Sequence, residues 1–156
     1  MEFKYFKKKL TFNGALTFCA VFIILSILKN PSQAIPAHVD EPSVVETAIR
    51  ISDGSVNPEF FRYPSGHMNI LALIYKITDF FNGELTEENY YSIARAFSRA
   101  CIAGIAAMVF IICSIKMNYF FGVIGSLLTV LSTTLNTHAN FAIVDVPMAF
   151  FVTLFF

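Results

Sequence analysis

The sequence predicts an all-α integral membrane protein with about four transmembrane helices and a long outer loop. Three observations carry that prediction. Apolar residues make up 56% of the 156-residue chain and charged residues only 14%, against roughly 25% charged in a typical soluble domain. Long charge-free runs follow: 19 residues from Leu10 to Leu28, 16 from Ala100 to Ile115, and 28 from Met117 to Val144. Between the first two runs, Lys29 to Arg99 gathers nine acidic and six basic residues, so polarity is concentrated in one segment. Formal net charge is zero, and nothing in it argues for a nucleic-acid partner.

Residues 1–9 form a basic tail holding Lys4, Lys7, Lys8 and Lys9, which the positive-inside rule keeps in the cytoplasm. Residues 10–28 are the first span, long enough at 1.5 Å per residue for a hydrocarbon core of about 30 Å. The run exceeds the apolar core of a signal peptide, about 7–15 residues. No clean small-x-small cleavage site follows it, Ser32-Gln33-Ala34 coming closest, so it reads as an uncleaved anchor. Residues 29–94 then form the outer loop. Pro42 after Glu41, with Val44, Val45, Ala48 and Ile49 at helical spacing, predicts a short helix over about 42–52. Asp53-Gly54 ends it.

A second loop helix is expected over 68–81. It sets Ile70, Leu73, Ile74, Ile77, Phe80 and Phe81 on one face and Asn69, Ala72, Lys76 and Asp79 on the other. Such a helix suits the membrane interface. The second span, 95–115, carries Ala96, Ala100 and Gly104 every four residues, a small-residue stripe that lets another helix approach closely. A cytoplasmic turn at 116–119, a third span at 120–135 and an outer turn at 136–145 follow. Residues 146–156 are expected to start a fourth span but are too few to complete one, which takes about 17–25 residues. The chain therefore reads as a fragment of a larger protein. Cys19, Cys101 and Cys113 all lie in apolar stretches, where cysteine acts as a small hydrophobe.

This topology brings His38, Asp40, Glu41, Arg62, His67, His138 and Asp145 to the outer side. Asp40 and Glu41 open a helix, where an acidic residue is also a good cap. Asp145 starts the fourth span and has the same bland reading. An ionisable residue at a membrane entry point is nevertheless costly and often functional. Arg62 suits lipid phosphates, and Tyr63 with its neighbouring Phe residues suits interfacial packing. The three histidines show no metal-ligand spacing.

The order of features resembles the N-terminal part of the GT-C membrane glycosyltransferases. More narrowly, it resembles the bacterial glycosyltransferase family 39 group, related to protein O-mannosyltransferases and lipid A aminoarabinose transferase. The residues that carry the resemblance are His38-Val39-Asp40-Glu41-Pro42 and Gly54-Ser55-Val56-Asn57-Pro58-Glu59-Phe60-Phe61. Tyr63-Pro64-Ser65 and Ile93-Ala94-Arg95-Ala96-Phe97-Ser98-Arg99 follow, and then the segment from Asn140 through Asp145-Val146-Pro147 to Phe151. Aminoarabinose transferases carry Glu-Lys before a double proline, where this chain has Arg62-Tyr63 before Pro64-Ser65.

The resemblance implies a transferase that moves a sugar from a polyprenyl-phosphate donor to a hydroxyl acceptor on the outer face of a bacterial plasma membrane, inverting the anomeric centre. It implies Asp40 as catalytic base, beside Glu41, with Asp145 helping to organise the site. Arg62, Tyr63, His67 and His138 are the candidate substrate contacts. No cofactor is required by this reading, although a divalent metal ion could serve the leaving phosphate. The rival expectation is a non-catalytic four-span subunit whose outer loop binds a partner.

Overall fold

The computed structural model describes residues 2–27, 35–55, 57, 62–63 and 65–155, with side chains from Asn13 onward. The loop motif residues Val56, Pro58 to Phe61 and Pro64 lie outside the described residues. Seven helices make up the described structure: α1 (Glu2–Ile27), α2 (Glu41–Ser52), α3 (Gly66–Asn82), α4 (Glu87–Lys116), α5 (Tyr119–Leu131), α6 (Thr133–Ala139) and α7 (Asp145–Phe155). The protein is all-α among these residues. α4 is long and apolar enough to cross a membrane. α5 and α6 pass the same test only when taken together across a 59° bend. The described apolar part of α1, Asn13–Ile27, and α7 are apolar but shorter.

α4 is the central helix, packed against α1, α5 and α7, with the α2–α3 pair on its N-terminal part. It starts eight residues before the expected span because Thr86 caps it, accepting from the Asn89 amide at 3.4 Å. Glu87 and Glu88 then sit in its first turn, where the positive end of the helix dipole favours them. Glycines set the close crossings. A methyl group on Gly104 would run into the Phe150 ring of α7, and one on Gly122 into Ser114 of α4. Gly104, the last residue of the small-residue stripe, thus meets α7.

Two apolar clusters divide the interior. One joins Val44, Val45 and Ala48 of α2 to Met68, Leu71 and Tyr75 of α3 and to Tyr91 and Ala94 of α4. The other joins Val21 and Leu25 of α1 to Cys101, Ile102 and Ala106 of α4 and to Val146 of α7. Phe97 packs against both. Tyr75 ties α3 to α4 further, its hydroxyl donating to the Tyr90 carbonyl at 3.1 Å.

One element differs from the sequence expectation. The third predicted span does not run straight to 135. The helix breaks at Ser132, whose extended backbone ends α5, and α6 continues to Ala139. Thr129, Ser132, Thr133 and Thr134 crowd this point. Their hydroxyls compete with the helical ladder, as Thr129 does by donating to the Gly125 carbonyl at 2.9 Å. On α3 the apolar face picked out by periodicity is the one left uncovered, and a second face meets protein. His67, Met68, Leu71, Ala72 and Tyr75 are buried, whereas Leu73, Ile77, Phe80 and Phe81 are exposed.

Candidate functional site

The acidic pair divides into two unlike residues. Consecutive positions on a helix point about 100° apart, so Asp40 and Glu41 face different surroundings. Glu41 has no exposed surface. Arg95 of α4 grips it in a fork, Nε donating to Oε1 and Nη2 to Oε2, each at 2.8 Å. The Ala142 amide also donates to Oε1 at 2.8 Å. The amides of Ala37 and His38 donate to Oε2 at 2.8 and 3.2 Å. Burial alone would push this carboxyl up, but Arg95 and the backbone amides of Ala142 and Ala37 hold it below the ordinary glutamate value. Every acceptor direction is committed. One side chain therefore fastens the 35–40 segment and the loop before α7 to the middle helix, across a sequence distance of about a hundred residues.

Asp40 occupies the N-cap position of α2 yet makes no side-chain cap hydrogen bond. Its carboxylate is partly exposed and lies 3.8 Å from His38 Nδ1. That nitrogen accepts from the Asp40 amide at 3.2 Å, which fixes the His38 ring. The ring also packs on Phe141, with centroids 5.2 Å apart. Phe141 adjoins Ala142, so the loop that Glu41 fastens is also the loop that touches His38.

The same loop carries the second acidic site. His138 ends α6 and Asp145 begins α7. His138 Nδ1 and Asp145 Oδ2 stand 3.0 Å apart, and both side chains are open to solvent. A carboxylate only accepts when ionised, so the hydrogen bond uses a proton on His138 Nδ1. The loop held by Glu41 thus runs into Asp145 at one end and touches His38, the neighbour of Asp40, through Phe141.

The remaining sequence candidates are spread out. Arg62 is exposed, its guanidinium carbon 5.7 Å from the Tyr63 ring centroid, and Tyr63 packs against the α2–α3 cluster. His67 is 8% exposed, stacked on Phe97 at 5.7 Å, and neither ring nitrogen has a hydrogen-bond partner among the described residues. Burial pulls its pKa down to about 4, so the ring is neutral at physiological pH. Among the described residues, no three His, Cys, Asp or Glu side chains come close enough to hold a metal ion.

A pH dependence of stability follows from His67. The unfolded chain binds a proton on this residue below about 6.5, whereas the folded chain resists it down to about 4. Stability therefore falls as pH drops through that window, by roughly 3 kcal/mol for the full interval. His67→Gln should flatten this part of the profile when unfolding is followed from pH 7 to 4.

Arg95 was not among the sequence candidates. Its signal was present: Arg95 and Arg99 stand one turn apart at the head of an otherwise apolar run, where buried charge calls for a partner. No family model, curated protein or solved structure matches this chain.

Proposed function

We propose that the chain is part of a multi-pass membrane glycosyltransferase of the GT-C kind. It takes a sugar from a polyprenyl-phosphate donor to a hydroxyl acceptor on the outer face of the membrane. The observation that supports this reading is the Glu41 anchor, which ties the segment carrying Asp40 to the loop that runs into Asp145. Read as four alternating passes, α1, α4, the bent α5–α6 pair and α7 would leave that loop on the face opposite the N-terminal lysines. The exposed apolar face of α3 suits the adjoining interface.

In this reaction the acceptor hydroxyl gives its proton to the Asp40 carboxylate while its oxygen bonds to the anomeric carbon. The bond from that carbon to the carrier phosphate breaks, and polyprenyl phosphate leaves with the electron pair. Asp40 suits the base role because its carboxylate is partly exposed and makes no cap bond, whereas Glu41 serves as a positioning residue. Attack opposite the leaving phosphate inverts the centre. Arg62 is an exposed cation, available to an anionic headgroup. General-base assistance of this kind is worth about 10²–10⁴-fold.

Asp145 works in the same site through His138 under this reading. Asp145→Asn and His138→Gln should each lower transfer at least about tenfold with expression retained. The double variant Asp40→Asn with Asp145→Asn should be little worse than the weaker single one, because residues that act as a unit are strongly non-additive. The assay is transfer from a polyprenyl-phosphate sugar by protein in proteoliposomes. Full activity of Asp145→Asn would leave that residue a helix start and nothing more.

A further inference from the structure

Arg99 of α4 is a buried charge with no counter-charge. It is only 5% exposed. Its Nε is sealed from solvent and has no hydrogen-bond partner among the described residues. The two terminal nitrogens also lack a hydrogen bond or ion pair among the described residues, yet neither is sealed, so both open onto accessible space. A guanidinium cannot shed its proton to escape burial, and a buried charge is tolerated when it is paired. The neighbouring carboxylates are engaged elsewhere. Glu41 is filled by Arg95 and by the amides of Ala37, His38 and Ala142. Asp40 lies by His38, and Asp145 by His138. The missing counterpart is an anion.

The position of Arg99 narrows the choice of anion. Arg95, Arg99, Ile102 and Ala106 share one face of α4 at helical spacing. Arg95 holds Glu41 one turn before Arg99. One turn after it, Ile102 and Ala106 pack with Val21 and Leu25 late in α1, Ala139 at the end of α6 and Val146 at the start of α7. Arg99 thus stands at the level where the ends of these helices converge. From Arg99 to Lys116, the next charged residue of α4, the helix rises about 26 Å. That is nearly the depth of a hydrocarbon core, about 30 Å. Where α4 crosses a membrane, these two cations lie at the two headgroup levels, with Arg99 at the outer one. The anion of that level is phosphate, whose oxygens match the fork of a guanidinium.

We infer that Arg99 binds a phosphate group, drawn from a lipid headgroup at the outer interface or from solution. The inference rests on the burial of Arg99 and, for the lipid source, on the reading that α4 crosses the membrane. It does not need the transferase activity. A bound phosphate neutralises the charge that Glu41 leaves uncovered, so it stabilises the bundle where α1, α6 and α7 meet α4.

The test follows thermal unfolding of the whole chain in a phosphate-free, nonionic detergent by circular dichroism. There, Arg99→Met should match or exceed the parent midpoint, because an apolar side chain replaces an uncompensated charge. Dioleoyl phosphatidic acid added to the micelles should raise the parent midpoint by several degrees and leave Arg99→Met unmoved. Dioleoylglycerol, with the same tails and no phosphate, should move neither. Sodium phosphate acting as strongly as the lipid would assign the site to free phosphate, and a response to the lipid alone would assign it to a headgroup. Sodium chloride as effective at equal ionic strength would reduce the effect to screening and overturn the inference. So would equal stabilisation of Arg99→Met by phosphatidic acid. A midpoint of Arg99→Met well below the parent's would give the guanidinium a carboxylate partner within the protein, which also overturns it. Binding is read without any variant too: the parent should retain radiolabelled phosphatidic acid at an equimolar ratio, and no retention contradicts the inference. Sugar transfer is measured apart in proteoliposomes, so a failed phosphate site and a failed transferase are told apart.

Discussion

Glu41→Gln should be among the most damaging single substitutions in this chain, costing about 3–5 kcal/mol. The glutamine keeps the size of the side chain but removes the charge opposite Arg95. Its amide NH₂ must also face amide donors from Ala37, His38 or Ala142, which together fill the carboxylate now. Arg95 is left buried without its carboxylate, and an uncompensated buried charge is the expensive outcome. Arg95→Gln should be similarly harmful from the other side. Replacing both residues by Met should recover part of the loss, although the three amides remain unsatisfied. Unfolding of the detergent-solubilised protein checks the series. Single variants as stable as the parent would show that the fork carries no structural weight.

The anchor has a matching acid dependence. Because the folded pKa of Glu41 lies below the ordinary value of 4.5, its contribution is complete above that value. It fades as pH falls through the lower folded pKa. That loss sets in below 4.5, at the acid end of the window assigned to His67, so the His67→Gln background is the one in which the Glu41 titration is read alone.

Asp40→Asn carries the second large effect, on activity. The asparagine keeps volume and capping ability but cannot take a proton, so transfer should drop by at least about 10²-fold. The fold should be indifferent to the change, since the Asp40 carboxylate makes no cap bond and is partly exposed. Unfolding midpoint and transfer should therefore dissociate in Asp40→Asn and fall together in Glu41→Gln.

The contrast between these neighbours marks how far the sequence could be read. The charge-free runs and the Pro42 start located α2 and α4. Composition could not assign different work to Asp40 and Glu41, because the distinction lies in Arg95 and Ala142, which are distant in sequence. Nor could periodicity choose the buried face of α3. Met68, Leu71 and Tyr75 meet protein, whereas Leu73, Ile77 and Phe80 do not, and both sets are apolar. The bend at Ser132 escaped notice because its cause is competition by hydroxyls inside an apolar run. His138 was legible only as an outer-face histidine. Its pairing with Asp145 depends on the turn between α6 and α7, which sequence spacing does not fix.

The central claim is that Asp40 is the base of a lipid-linked sugar transfer on the outer face. The most direct measurement is radiolabelled sugar transfer from a polyprenyl-phosphate donor to a hydroxyl acceptor in proteoliposomes. It is run with the full-length protein and its Asp40→Asn variant at matched expression and matched unfolding midpoint. The account predicts transfer by the parent and a loss of at least about 10²-fold in the variant. Transfer by the variant at the parent's rate would contradict it, as would a parent that binds the donor but transfers nothing.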